Sequence, residues 1–221
     1  MGFHIRPPLV PGEFATSDAS VTAPKASPSP LRLLVVIDGT NLKGALDQQR
    51  ISTHINYRQL AIEIAKKIPD GLLPGRWALQ RVVYVTASPI QSHNHARFER
   101  WRKFEAMIKR QERVELKLGR LEGGPDRVYE KGVDILVAIE LLAGAFKNLY
   151  DVAIVVSGDG DFADVAREVR AAGKFIFNAF FDLSKSYALS RAVDSFIPLD
   201  AINWQRLRLA PQPGSTWRRR F

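Results

Sequence analysis

The stretch Val152-Ala153-Ile154-Val155-Val156-Ser157-Gly158-Asp159-Gly160-Asp161-Phe162 decides the fold. Five unbroken, largely β-branched apolar residues are too short for a buried helix and read as a strand covered on both faces, the mark of a parallel sheet. Phe162 then opens a helical pattern over 162–172, closed by Gly173. The two carboxylates therefore fall at the carboxyl end of a buried strand, where open α/β sheets place their sites. One of them, Asp161, can cap the helix that follows. A cap needs only one acid, which leaves Asp159 over.

Toward the N-terminus the same grammar recurs in Val35-Val36-Ile37-Asp38-Gly39-Thr40-Asn41. Another buried strand runs straight into an acid, Gly39 permits close approach of the backbone, and Asn41 offers an amide that can orient a phosphate or a water. Asp38 and Thr40 can equally cap the next helix. If the two strands are neighbours, three carboxylates meet at one sheet edge. Like charges that close are costly unless a cation lies between them. An oxygen-only donor set favours Mg2+ or Mn2+ over zinc. A third motif, Lys131-Gly132-Val133-Asp134, opens an apolar helix. An acid in a first turn is favoured by the helix dipole whatever else it does, so Asp134 taken alone reads as structural. Glu140, six residues on, is rotated by about 240° and does not share the face of Asp134.

Strand patterns at 31–37, 81–86, 114–118, 152–156, 174–181 and 196–199 alternate with helical ones at 57–67, 96–112, 134–146, 162–172 and 185–193. Alternation of this kind predicts a Rossmann-like three-layer α/β/α sandwich on a mainly parallel sheet. The chain has 221 residues, 46% of them hydrophobic, enough for one substantial domain. We expect that domain over 31–208, a disordered Pro- and Ser-rich tail over 1–30, and a basic tail over 209–221. Cysteine is absent, which excludes disulfides and thiolate-held zinc and fits a reducing, cytoplasmic setting. No apolar run reaches the about 20 residues needed to span a bilayer, and no apolar leader opens the chain.

The three motifs, in this order and spacing, resemble the signatures of NYN domains, the PIN-like group that includes the LabA-like bacterial proteins. Weaker echoes are Val82-Val83-Tyr84, Gly173-Lys174, and Leu189 with Ala192-Val193-Asp194-Ser195-Phe196. The resemblance spans 33–199. It implies a PIN-like sandwich and an acidic pocket holding Mg2+ or Mn2+, with ribonuclease activity in the active members. By motif match Asp38, Asp134, Asp159 and Asp161 become the pocket carboxylates, both catalytic and metal-binding, with Asn41, Ser157 and Lys131 in support. Where the family often carries Asp, this chain carries Glu140.

RNA is the expected partner, single-stranded or structured, and a homo-oligomer is open. The net charge of +9, from 32 basic and 23 acidic residues, is in keeping with that. On the helix over 96–112, Phe98, Trp101, Phe104 and Ile108 form an apolar side. Arg102, Lys103, Lys109, Arg110 and Arg113 form the other, either a solvated face or a phosphate rail, and the solvated face is the better reading. Trp217 with Arg218, Arg219 and Arg220 could grip a single strand by charge and stacking, or do nothing. Two rival readings compete with metal-dependent RNA cleavage. A phosphatase of the haloacid-dehalogenase type would use Asp38-Gly39-Thr40, but its nucleophile belongs two residues earlier, where Val36 stands. The other is a non-catalytic module that binds RNA or protein. Neither a Walker A nor a GxGxxG motif is present, and His93-Asn94-His95 is a tripeptide, not the spread-out nuclease pattern it spells.

Overall fold

The computed structural model describes residues 29–89, 94–124 and 127–210, with backbone alone over 121–124 and 127–130. Most of both expected tails, including Trp217 and Arg218 to Arg220, lies outside the described residues, as does His93. The elements are β1 (Leu31–Asp38), α1 (Gly39–Gln48), α2 (Tyr57–Ala65), β2 (Trp77–Ala87), α3 (His95–Lys109), β3 (Val114–Gly124), β4 (Arg127–Lys131), α4 (Val133–Phe146), β5 (Val152–Val156), α5 (Phe162–Ala171), β6 (Phe175–Phe180), α6 (Tyr187–Ala192), β7 (Ser195–Pro198) and α7 (Trp204–Leu207).

The apolar runs are continuous because alternate residues serve two cores. On β1, Leu33, Val35 and Ile37 enter one core, lined by Leu42 of α1, Leu60 and Ile64 of α2 and Ile108 of α3. Leu34 and Val36 enter the other, with Val137 and Leu141 of α4, Ala166 and Val169 of α5 and Leu189 of α6. Strand β5 divides likewise, Val152, Ile154 and Val156 to the first core and Ala153 and Val155 to the second. Each such side chain, fully buried, contributes roughly 1.5–3 kcal/mol. A polar residue on either face would interrupt a core, which fixes the three-layer α/β/α architecture.

The sheet runs β4-β3-β2-β1-β5-β6-β7. The six strands from β3 to β7 in that order are parallel, and β4 pairs antiparallel to β3 at one edge. The predicted 114–118 strand is thus longer than expected and folds into a hairpin. Its extension passes through Gly119, Gly123 and Gly124, and glycine is among the residues least enriched in strands, so composition hid it. Helix α6 is shorter than the expected 185–193. A 3-10 turn occupies Asp182–Ser184, and the Ser186 side chain caps α6 by accepting from the Leu189 backbone N–H.

What positions the site is the order around β1. From β1 the chain moves to β2 on one side, whereas β5 lies on the other side and leads on to β6. Helices α1 and α5 also depart to opposite faces, Leu42 packing in one core and Phe162 in the other. The loops beyond β1 and β5 therefore diverge and leave a crevice at the switch point. No helix of the described residues is long and apolar enough to cross a membrane.

Candidate active site

Asp38 closes β1 on the floor of this crevice and is 3% exposed. Both of its oxygens are engaged. The Asn41 backbone N–H donates to Oδ1 at 3.0 Å, which caps α1, and Ser157 Oγ donates to Oδ2 at 3.1 Å. The capping role expected as its plainer alternative is real, but it uses one oxygen only. Gly39 is required beside it by close approach. A Cβ there would lie 2.1 Å from Cε1 of Tyr84, whose hydroxyl donates to the Gly39 carbonyl at 3.1 Å.

The turn after β5 is tied back to this floor. Ser157, fully buried, accepts from the Asp159 N–H at 3.1 Å while donating to Asp38. Asn41 Oδ1 accepts from the Gly158 N–H at 3.0 Å, so one amide side chain bridges α1 to the β5 turn. Gly158 has no room for a side chain, since a Cβ would sit 2.5 Å from the Phe180 ring and 2.7 Å from the Ser184 carbonyl. The local turn bond falls to Asp159, whose Oδ1 accepts from the Asp161 N–H at 3.0 Å. Asp161 occupies the N-cap position of α5 yet makes no capping bond through its side chain. The plainer role that the sequence offered Asp161 is one it does not play.

Asp134 lies in the first turn of α4, after Gly132. Lys131, exposed, ends β4 three residues earlier. The four carboxylates act on one another. Burial pushes Asp38 up from 3.8 to about 6, against the two hydrogen bonds it accepts, and the charges of Asp134 and Asp159 raise it further. Asp134 is raised first by its own partial desolvation and then by Asp159 and Asp161. None of the four forms an ion pair among the described residues. Nor do any three acids or histidines among those residues stand close enough to enclose an ion by themselves.

Glu140 takes no part. It is buried on α4, 2.8 Å from Arg81 Nη2 and bonded to Lys117, where it ties the helix to β2 and β3. Nor does the aromatic side of α3 reach the crevice. Ile108 is in the core, Phe104 packs on it, and Trp101 lies against Phe104 at 5.7 Å. On the basic side Arg102 pairs with Glu99, Lys109 with Glu105 and Arg113 with Glu112, whereas Lys103 and Arg110 are exposed. Asn94 caps α3 by accepting from the Arg97 N–H, which gives the middle of the His93-Asn94-His95 tripeptide an ordinary structural role.

The matched signatures thus lie in one crevice of a PIN-like sandwich, and a family model for the NYN domain matches residues 32–200. The chain belongs to the NYN domain family. The fold is also that of a solved protein of unknown function from Vibrio parahaemolyticus, with a TM-score of 0.54 and 16% identity, covering 79% of this chain and 96% of that one. No curated protein matches the chain.

Two polar residues of this NYN domain escaped sequence reasoning. Asn178, fully buried on β6, donates through Nδ2 to the Val155 carbonyl at 3.2 Å and the Ser157 carbonyl at 2.8 Å. It holds the turn that carries Asp159. Its signal was available: an amide inside Phe175-Ile176-Phe177-Asn178-Ala179-Phe180 has to be satisfied somewhere. Thr86, buried at the end of β2, has its hydroxyl 3.4 Å from that of Thr40. Threonine is an ordinary strand residue, so nothing in the sequence marked it.

Proposed function

We propose that this NYN domain hydrolyses RNA phosphodiester bonds with Mg2+ or Mn2+ held by Asp38, Asp134, Asp159 and Asp161. One observation carries the reading. Four carboxylates from three separate chain segments, beyond the ends of β1 and β5 and at the start of α4, lie near enough to act on one another's charge, and none of them forms an ion pair among the described residues. Such a set stores repulsion that a divalent cation relieves. The donor chemistry fits a hard ion; since no three of the acids enclose an ion by themselves among the described residues, such an ion would be held partly through its own waters, as Mg2+ commonly is. When bound, such an ion supplies charge to the scissile phosphate and acidity to a water.

The chain's own residues supply geometry. Ser157 and the Asn41 N–H fix both oxygens of Asp38, and the Asn41 side chain keeps α1 and the β5 turn together. Asp134 and Asp161 stand exposed at helix starts, free to meet a ligand arriving from solvent. RNA as substrate draws on the family resemblance and on the net charge of +9. The aspartyl-phosphate route is closed, because the nucleophile position is Val36, fully buried in the second core.

The acids' open spacing also favours a second reading, a module that binds RNA without cutting it. The separating experiment incubates single-stranded and hairpin RNA with the full chain in Mn2+, Mg2+ or EDTA, beside Asp38→Asn. Cleavage with either metal, abolished by EDTA and by the variant, is expected, together with a melting temperature that rises with Mn2+ in the wild type alone. Cleavage by Asp38→Asn at the wild-type rate would sink the proposal. Binding without cleavage would leave the second reading.

A further inference from the structure

The loop after α1 and the short helix α7 are stitched together beside the crevice. The Asn56 N–H donates to the Leu207 carbonyl at 2.8 Å and the Leu209 N–H to the His54 carbonyl at 3.2 Å. Between them lies a shallow cleft with a cavity volume of about 50 Å3, lined by Arg50, Ile51, Ser52, Trp204, Gln205 and Arg208. Its two arginines differ from the paired cations of α3. Arg102 and Lys109 of α3, and Arg113 just beyond it, each have a glutamate partner. Arg50 has no carboxylate partner among the described residues, and Arg208 bonds only to the neutral Gln205 amide, at 3.1 Å. Two uncompensated guanidinium forks in one concavity repel each other until an anion joins them, and their planar geometry suits a phosphate.

Trp204 adds a fixed aromatic surface. One side of the indole stacks on Phe181, with centroids 5.8 Å apart and planes at 22°, and Nε1 donates to the Leu199 carbonyl at 3.3 Å. The ring is half-buried, so it is held in place while part of it lines the pocket. A held aromatic beside arginines is the combination that grips single-stranded nucleic acid, bases by stacking and backbone by charge. The pocket also has a physical link to the aspartates. Phe181 lies 5.9 Å from Phe180, ring to ring, and the Phe180 ring packs against Gly158, between Ser157 and Asp159. Two ring steps along the carboxyl edge of the sheet therefore separate Trp204 from the acidic turn, a span that a few nucleotides of extended strand cover.

We propose that the Arg50–Trp204–Arg208 pocket is a subsite for one nucleotide of a single-stranded RNA, its base against Trp204 and its phosphate between the two arginines. The subsite lies a few nucleotides from the bond held at the aspartates. The proposal rests on the RNA reading above and names the strand form that the site takes.

The test measures fluorescence anisotropy of a labelled single-stranded RNA in EDTA, so that binding is read without cleavage, from 50 to 200 mM salt. The chains compared are the wild type, R50A/R208A, W204F and, as a charge-matched control, R102A/K103A. Losing two charge-assisted contacts should weaken R50A/R208A by about tenfold or more. Losing one phosphate contact should reduce its salt slope by about 0.7. W204F should bind more weakly with the slope unchanged, and the control should stay close to the wild type. If R50A/R208A and R102A/K103A lose affinity equally, or R50A/R208A loses none, the subsite is overturned while RNA binding stands. If the wild type binds no RNA, the RNA reading itself fails and takes the subsite with it.

Discussion

Neutralising Asp38 should make the protein more stable above pH 6 and leave that gain absent near pH 4. The carboxyl titrates at about 6 in the folded chain against 3.8 when unperturbed, with burial as the leading cause. At about 1.36 kcal/mol per pH unit, the displacement penalises the ionised folded state by up to about 3 kcal/mol. The sign follows from proton counts. Between the two values the folded chain binds more protons than the unfolded one, so stability falls as pH rises. Above both, the full penalty is present; below 3.8 there is none. Asp38→Asn removes the charge while its remaining oxygen still accepts from the Asn41 N–H. Its amide can donate to Ser157 Oγ, and the serine proton is the one that loses its acceptor, at a cost of about 1 kcal/mol. The expected net gain is about 1–2 kcal/mol at pH 8, vanishing or reversing at pH 4. Urea unfolding of both proteins in EDTA at the two pH values measures it. A variant less stable than the wild type at pH 8, or an equal difference at both pH values, would refute the reasoning.

Gly158→Ala should destabilise the fold by about 1–3 kcal/mol, because the new Cβ would meet the Phe180 ring and the Ser184 carbonyl well inside contact distance; thermal melting reads it, and an unchanged melting temperature would show that the turn yields. The Arg32–Asp151 pair should give an acid limb of opposite sign to that of Asp38. Arg32 holds Asp151 down at about 2, chiefly by its side-chain hydrogen bonds. The stability this contributes is present above about 4 and is lost as pH falls toward 2. Asp151→Asn should flatten that limb in a pH series of melting temperatures, and an unaltered limb would assign it elsewhere.

The fold was legible because two-sided burial leaves a strong trace. Val35 and Val36 enter opposite cores, and only a covered parallel strand tolerates both as apolar residues. The β3–β4 hairpin left no such trace, since Gly119, Gly123 and Gly124 carry neither period nor bulk. Asp38 and Asp159 were legible from strand position alone. Asp134 was not, because a first-turn acid satisfies the helix dipole anyway, and only the family pattern singled it out. Asn178 and the Trp204 pocket show a deeper limit. Each depends on which segments meet across the sheet edge, and 23 residues separate Asn178 from Val155, whose carbonyl it holds. Spacing along a chain does not report such meetings.

The distribution of hydrogen bonds within the site bears on how it would work. Asp38 is locked by its own helix start and by Ser157, which is in turn tied to Asp159. Asn178 secures the backbone beneath from the next strand. The second pair is loosely held: Asp134 and Asp161 are exposed, and Asp161 forgoes the cap its position offers. A chain selected for stability alone would use that cap, which is worth about 1 kcal/mol, and would not bury an acid that has no cation partner among the described residues beside three others. The rigid pair would fix where a ligand of the proposed kind is centred. The loose pair can adjust to its size and hydration without disturbing either core. This asymmetry favours an ion that keeps some of its waters over one fully enclosed by protein. It also places the adjustable acids on the solvent side, where a polyanionic strand would enter.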